Sequence, residues 1–143
     1  DGTGYWGRIE MTREYTVGDS VKHTVEDISR TDFAKYAGAS GDFNPIHYDE
    51  PHAEQTGYES VFGQGMFTAG IASQSVREAL GLQNLKEYRT RFSSQVWPGD
   101  TLFTTVEVTA VTETDEGTRV ETDVTVTNQD GEKVVTGTAV AIV

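Results

Sequence analysis

No cysteine occurs among the 143 residues, which excludes disulfides, thiolate nucleophiles and cysteine-ligated zinc. The three histidines, His23, His47 and His52, are dispersed and lack HExxH-like spacing, so no metal site is expected. Basic residues are few. Eleven Lys and Arg face 23 Asp and Glu, and a formal net charge of −12 argues against a nucleic-acid partner, whose phosphates demand a basic surface. An anionic ligand would need a local basic spot. Lysine is confined to Lys22, Lys35, Lys86 and Lys133 while acids are spread along the chain, which fits a salt-adapted proteome as well as an ordinary acidic surface. No apolar run approaches a membrane span, and Asp1 to Glu10 lack a basic start followed by an apolar stretch. The expectation is a cytoplasmic protein without membrane association. Gly63-Gln64-Gly65 is not a dinucleotide loop, because the third glycine is misplaced and no βαβ unit follows, and no cofactor is expected.

What is present suits one domain. The length provides a single core and not two. Residues 1–15, with Gly2, Gly4, Tyr5, Trp6 and Gly7, have no clear period and read as an N-terminal arm; residues 16–143 form the domain. Val21 to Asp27 alternates as a first strand. Ser29 or Thr31 offers an N-cap for a helix ending near Ala39, where Gly38 and Gly41 stop it. Asp49 to Gln55 reads as a short helix with Pro51 in its first turn. From about Gln64 to Leu80, Met66, Ala69, Gly70, Ser73, Val76, Ala79 and Leu80 recur at three- and four-residue spacing, which predicts a buried helix. After Gly81 the period changes. Glu87–Trp97, Thr101–Thr114, Thr118–Asn128 and Lys133–Val143 are rich in Val, Thr, Phe and Tyr, separated by Pro98-Gly99-Asp100, Glu116-Gly117 and Asp130-Gly131. A helix followed by long hairpins predicts α+β architecture, a curved antiparallel sheet wrapped on one central helix.

One segment carries chemistry. In Tyr36-Ala37-Gly38-Ala39-Ser40-Gly41-Asp42-Phe43-Asn44-Pro45-Ile46-His47, a carboxylate and an imidazole stand five residues apart, separated by Asn44-Pro45. Gly41 lets the backbone turn without a Cβ penalty, and Pro45 pushes Asn44 out of the helical region, so the segment is a shaped loop. Such a loop can aim Asp42 and His47 at one small molecule, and both residue types suit proton transfer. An Asp in such a loop also serves merely as a turn residue; the company of Asn44-Pro45, His47 and Gly65-Met66 favours the chemical reading.

That segment, with Gly65-Met66 and Ser73, resembles the MaoC-like (R)-specific enoyl-thioester hydratases and 3-hydroxyacyl dehydratases, and a looser likeness including Glu87-Tyr88-Arg89-Thr90-Arg91-Phe92 spans most of the chain after residue 20. The resemblance implies a hot-dog fold and reversible syn hydration of a trans-2-enoyl thioester, of CoA or acyl carrier protein, to the (3R)-hydroxyacyl thioester. It implies that Asp42 and His47 are the catalytic dyad, that Asn44 orders the loop, and that Gly65 provides the backbone donor to the thioester carbonyl. Ser73 falls where relatives place a polar residue beside the site. Gln64 departs from the His usual before Gly-Met; it counts among the substrate-binding positions, and altered hydrogen bonding is expected there. The residue types agree with such chemistry, which needs a base for water, an acid for Cα and a donor to the enolate-like oxygen.

His23 and His52 read as surface or packing residues. Tyr88, Phe92 and Trp97 read as core or dimer contacts, and Arg89 and Arg91 as exposed strand charges rather than phosphate ligands. Two other functions compete with the hydratase: a noncatalytic or heterodimer-partner hot-dog subunit that binds acyl thioesters, and an acyl-thioester hydrolase, for which Asn44-Pro45-Ile46-His47 is a poor match. An open sheet edge is a hazard that pairing removes, so a homodimer is expected, with a heterodimer as the alternative.

Overall fold

The computed structural model describes residues 14–143, so all but the last two residues of the expected N-terminal arm lie outside the described part. Strand β1 (Ser20–Val25) is followed by helix α1 (Arg30–Ser40), a 3₁₀ turn (Pro45–His47), a short helix α2 (Glu50–Gln55) and the long helix α3 (Gly65–Leu80). Four strands complete the chain: β2 (Leu85–Phe92), β3 (Leu102–Thr114), β4 (Gly117–Thr127) and β5 (Lys133–Ile142). The five strands form one antiparallel sheet in the order β1-β3-β4-β5-β2, and α3 packs against every strand of it. This is the α+β hot-dog arrangement expected from the sequence.

Local chemistry explains the elements. Ser29 caps α1: its side chain accepts from the Asp32 amide while the Asp32 carboxylate accepts from the Ser29 amide, a reciprocal capping box. Gly41 ends α1 at φ 80°, the left-handed region in which a Cβ is penalised, and its N–H donates to Ala37 O. Asp49 caps α2, with Pro51 in the first turn. The strands alternate as antiparallel strands should, with Leu102, Thr104, Val106 and Val108 of β3 and Val120, Thr122, Val124 and Val126 of β4 turned inward. Each fully buried valine or leucine contributes about 1.5–3 kcal/mol by area. Register shifts between Val108 and Ala110, between Leu85 and Glu87 and between Val126 and Thr127 accompany the curvature that lets the sheet embrace the helix.

Two expectations need correction. The buried stripe of α3 consists of Thr68, Ala69, Ala72, Ser75, Val76, Ala79 and Leu80, whereas Met66 and Gly70 face outward. Strand β2 stops at Phe92 instead of reaching Trp97: Ser93 and Ser94 still bond Val134 O and Lys133 O of β5, and beyond them the chain turns to the approach of α3, where the Gly63 amide donates to Val96 O at 2.8 Å. His23 is a packing residue: Nδ1 lies 2.9 Å from Ser75 Oγ and Nε2 2.8 Å from Glu78 Oε2, joining β1 to α3. Two tyrosines strap the helix as well, Tyr15 donating to Ala79 O and Tyr88 to Ala69 O. No helix among the described residues is long and apolar enough to cross a membrane.

Candidate active site

The left-handed turn at Gly41 throws the chain off α1 and into the loop that carries Asp42. Ser40 Oγ accepts the Asp42 amide at 3.1 Å, and Asp42 Oδ1 accepts the Asn44 amide at 3.3 Å. Asn44 then caps the 3₁₀ turn through Oδ1, which accepts the Ile46 amide at 3.3 Å. Pro45 starts the turn and His47 closes it, and Tyr48 O–H donates back to Phe43 O at 3.1 Å.

His47 is buried at 7% exposure, while the Asp42 side chain is 46% exposed. His47 Nδ1 lies 2.7 Å from the carbonyl oxygen of Phe62. A carbonyl can only accept, so the proton resides on Nδ1 and the neutral ring carries its lone pair on Nε2. Nε2 faces Asp42 Oδ2 at 3.8 Å, too long for a direct hydrogen bond and short enough for one water oxygen to sit about 2.8 Å from both. The Phe62 ring meets the imidazole edge-on at 5.2 Å and is itself flanked by Tyr58 and Trp97, so the histidine is held by packing as well as by its hydrogen bond.

Gly65 is the first residue of α3, where an N–H has no partner inside the helix and the helix dipole favours negative charge. A Cβ at Gly65 would stand 3.2–3.3 Å from the Phe92 ring, so glycine leaves room for that ring or for a ligand. A cavity of about 270 Å³ opens beside this helix start, lined by Phe62, Gly63, Gly65, Thr68, Phe92, Val135 and residues 93–96. Asp42 and His47 do not line it; Phe62 connects the two regions, its carbonyl on His47 and the residue itself among those that line the cavity.

The remaining expected positions lie elsewhere. Ser73 is two turns along α3, its hydroxyl donating to Gly70 O, and it lines a second cavity of about 160 Å³ with Val76, Leu82, Leu85 and Tyr88. Gln64 is 1% exposed, and its side-chain amide donates to Phe33 O of α1 at 3.0 Å. Its side chain is engaged with the protein rather than with either cavity. Sequence reasoning did not find the Phe62 carbonyl, since any residue supplies one, nor the exposed clasp in which Arg30 and Ser60 both donate to Glu50 Oε1 at 2.8 and 2.7 Å. The Ser60 hydrogen bond, and then that from Arg30, hold the Glu50 carboxyl below its ordinary value.

A long helix gripped by a curved antiparallel sheet, with an acid–imidazole loop carried off the end of α1, defines a hot-dog domain. The chain belongs to the MaoC like domain family, which matches residues 11–130. It is similar to the (R)-hydratase from A. caviae involved in PHA biosynthesis, at 28% identity and a TM-score of 0.82, covering 92% of this chain and 99% of that one. It is 33% identical over 87 residues to an (R)-specific enoyl-CoA hydratase of Rhodospirillum rubrum, 59% of this chain and 60% of that protein. It is also 39% identical over 72 residues to a probable enoyl-CoA hydratase 2 of Dictyostelium discoideum, 48% of this chain. The chain spans only 24% of that protein's length.

Proposed function

We propose that this protein is a hydro-lyase, an (R)-specific enoyl-thioester hydratase that also runs as a (3R)-hydroxyacyl-thioester dehydratase, acting on CoA or acyl-carrier-protein thioesters without a cofactor. The observation that carries the reading is the placement of a proton-accepting Nε2 of His47 opposite the Asp42 carboxylate at 3.8 Å. Membership of the MaoC like domain family and the hydratase relatives support it.

In the forward direction, one water is held between Asp42 Oδ2 and His47 Nε2. Nε2 takes one water proton while the oxygen bonds to Cβ, and the π electrons move through the conjugated system to the thioester oxygen. The Gly65 N–H donates to that oxygen as its charge grows. The enolate then collapses, Cα takes the proton back from Nε2, and the net result is addition of H and OH. Water and proton arrive from the same side group, so both bonds form on one face and the addition is syn. Asp42 accepts a hydrogen bond from the second water O–H, which stays intact as the product hydroxyl, and so orients the attack.

Assembly belongs to the same reading. Strand β2 is an edge strand, and Phe43, Met66 and Phe92, all near the helix start or the dyad loop, are 59%, 62% and 49% exposed. A second copy pairing at that edge would cover them, which supports a homodimer. The test of function is the loss of enoyl-thioester absorbance in the presence of the protein across acyl chain lengths, with Asp42→Asn and His47→Gln as controls. Turnover by both variants at the wild-type rate would refute the reading.

A further inference from the structure

Gln64 is the residue immediately before the helix amide assigned to the thioester oxygen, and it is built unlike a residue that only fills space. Its side chain is 1% exposed, its Nε2 donates to Phe33 O across 31 residues of chain, and its Oε1 is buried without a hydrogen-bond donor among the described residues. A leucine or methionine fills similar volume: it forfeits the bond to Phe33 O but spares the cost of burying Oε1 without a donor, which is at least comparable. Stability therefore does not account for an amide here.

Position does. The backbone around Gln64 is wedged between two elements: a Cβ at Gly63 would stand 2.9 Å from Phe33 Cε1, and the Gly63 amide donates to Val96 O. One turn into the helix, the Phe67 ring meets Phe33 edge-on at 5.7 Å, and the Phe67 amide donates to Gln64 O at 3.1 Å. Phe33 belongs to α1, the helix whose end at Gly41 launches Asp42. Among the described residues, the Gln64 amide is thus the one directional bond between the helix that presents the carboxylate and the first turn of the helix that presents Gly65; the packing contacts around it fix separation but not rotation.

We propose that Gln64 is a positioning residue that sets the Gly65 N–H relative to the Asp42–His47 loop. The inference rests on the hydratase reading. It predicts that Gln64→Leu folds, keeps KM within about twofold and loses about tenfold in kcat, because the donor is displaced for the developing oxyanion more than for the bound substrate. Gln64→His, which retains a ring N–H able to reach Phe33 O, should recover most of the lost kcat. Gln64→Met serves as a second apolar variant should the leucine protein fail to fold.

Amide hydrogen exchange provides a readout apart from turnover: in either apolar variant the Phe67 amide should exchange about tenfold faster while the Val76 amide, deep in the same helix, stays unchanged. Unchanged kcat together with unchanged Phe67 exchange in a folded apolar variant would overturn the proposal, as would a Gln64→His protein no better than Gln64→Leu. Absence of turnover by the wild-type protein would sink the hydratase reading, and the exchange comparison would still decide whether Gln64 holds the helix start.

Discussion

His47 Nδ1 lies 2.7 Å from the carbonyl oxygen of Phe62, fifteen residues further along the chain, so a main-chain group chooses which ring nitrogen is free. The consequence for the neutral ring is a proton on Nδ1 and a lone pair on Nε2. Nitrogen-15 NMR of the ring should show a pyrrole-like Nδ1 and a pyridine-like Nε2 in the neutral form. The opposite tautomer would leave Nε2 unable to take a proton from water.

Gly65→Ala separates catalysis from stability. At a helix's first turn alanine is no worse than glycine for the fold and removes about 0.5–1 kcal/mol of glycine's disadvantage where the backbone is helical. The new methyl, 3.2–3.3 Å from the half-exposed Phe92 ring, pushes that ring or occupies the space a thioester needs. Thermal stability should stay level or rise while turnover falls at least about tenfold, as expected for a disturbed oxyanion donor. A fully active Gly65→Ala enzyme would remove Gly65 from the site.

Burial pushes the Tyr88 hydroxyl up to about 12 from its ordinary 10, and that hydroxyl donates to Ala69 O of the central helix. The folded state favours the neutral phenol, so its contribution is complete below pH 10 and is lost as pH rises through about 12. Tyr88→Phe should be less stable than wild type by about 0.5–1.5 kcal/mol at neutral pH, the worth of one hydrogen bond. The gap should close in denaturant melts taken between pH 10 and 12. A gap that widened would contradict the assignment.

Glu50 has the opposite sign. With its carboxyl held below the ordinary value by Ser60 and Arg30, the charged form is favoured on folding; the contribution is present above the unfolded value and disappears as pH falls through the folded one. Glu50→Gln should therefore flatten the acid limb of the stability profile and leave the alkaline limb unchanged. The clasp is exposed, so the change is small and weakens further in high salt.

Much of this arrangement is legible in the chain because local chemistry dictates it. Ser29, Gly41, Asn44-Pro45 and Asp49 are each the residue type their backbone position requires, so helix ends and the Asp42–His47 loop follow from order alone. The hairpins follow from alternation and turn residues. What escapes is what depends on the surrounding fold. Gln64 to Leu80 is apolar on more than one side, and only the sheet decides that Thr68 and Ser75 face inward while Met66 does not. Val96 and Trp97 are strand-favouring residues, yet Val96 O accepts the amide of Gly63 instead of a sheet partner. The Phe62 carbonyl and the Phe33 carbonyl are main-chain groups, and no residue letter announces them.

The most direct test of the account is the stereochemical course of hydration in heavy water. A trans-2-enoyl thioester incubated with wild-type protein should yield the (3R)-hydroxyacyl thioester with deuterium at Cα on the same face as the new hydroxyl, and Asp42→Asn and His47→Gln should each lower the rate by about 10²- to 10⁴-fold. An anti product, or full activity without either side chain, would contradict a single dyad working on one face of the substrate.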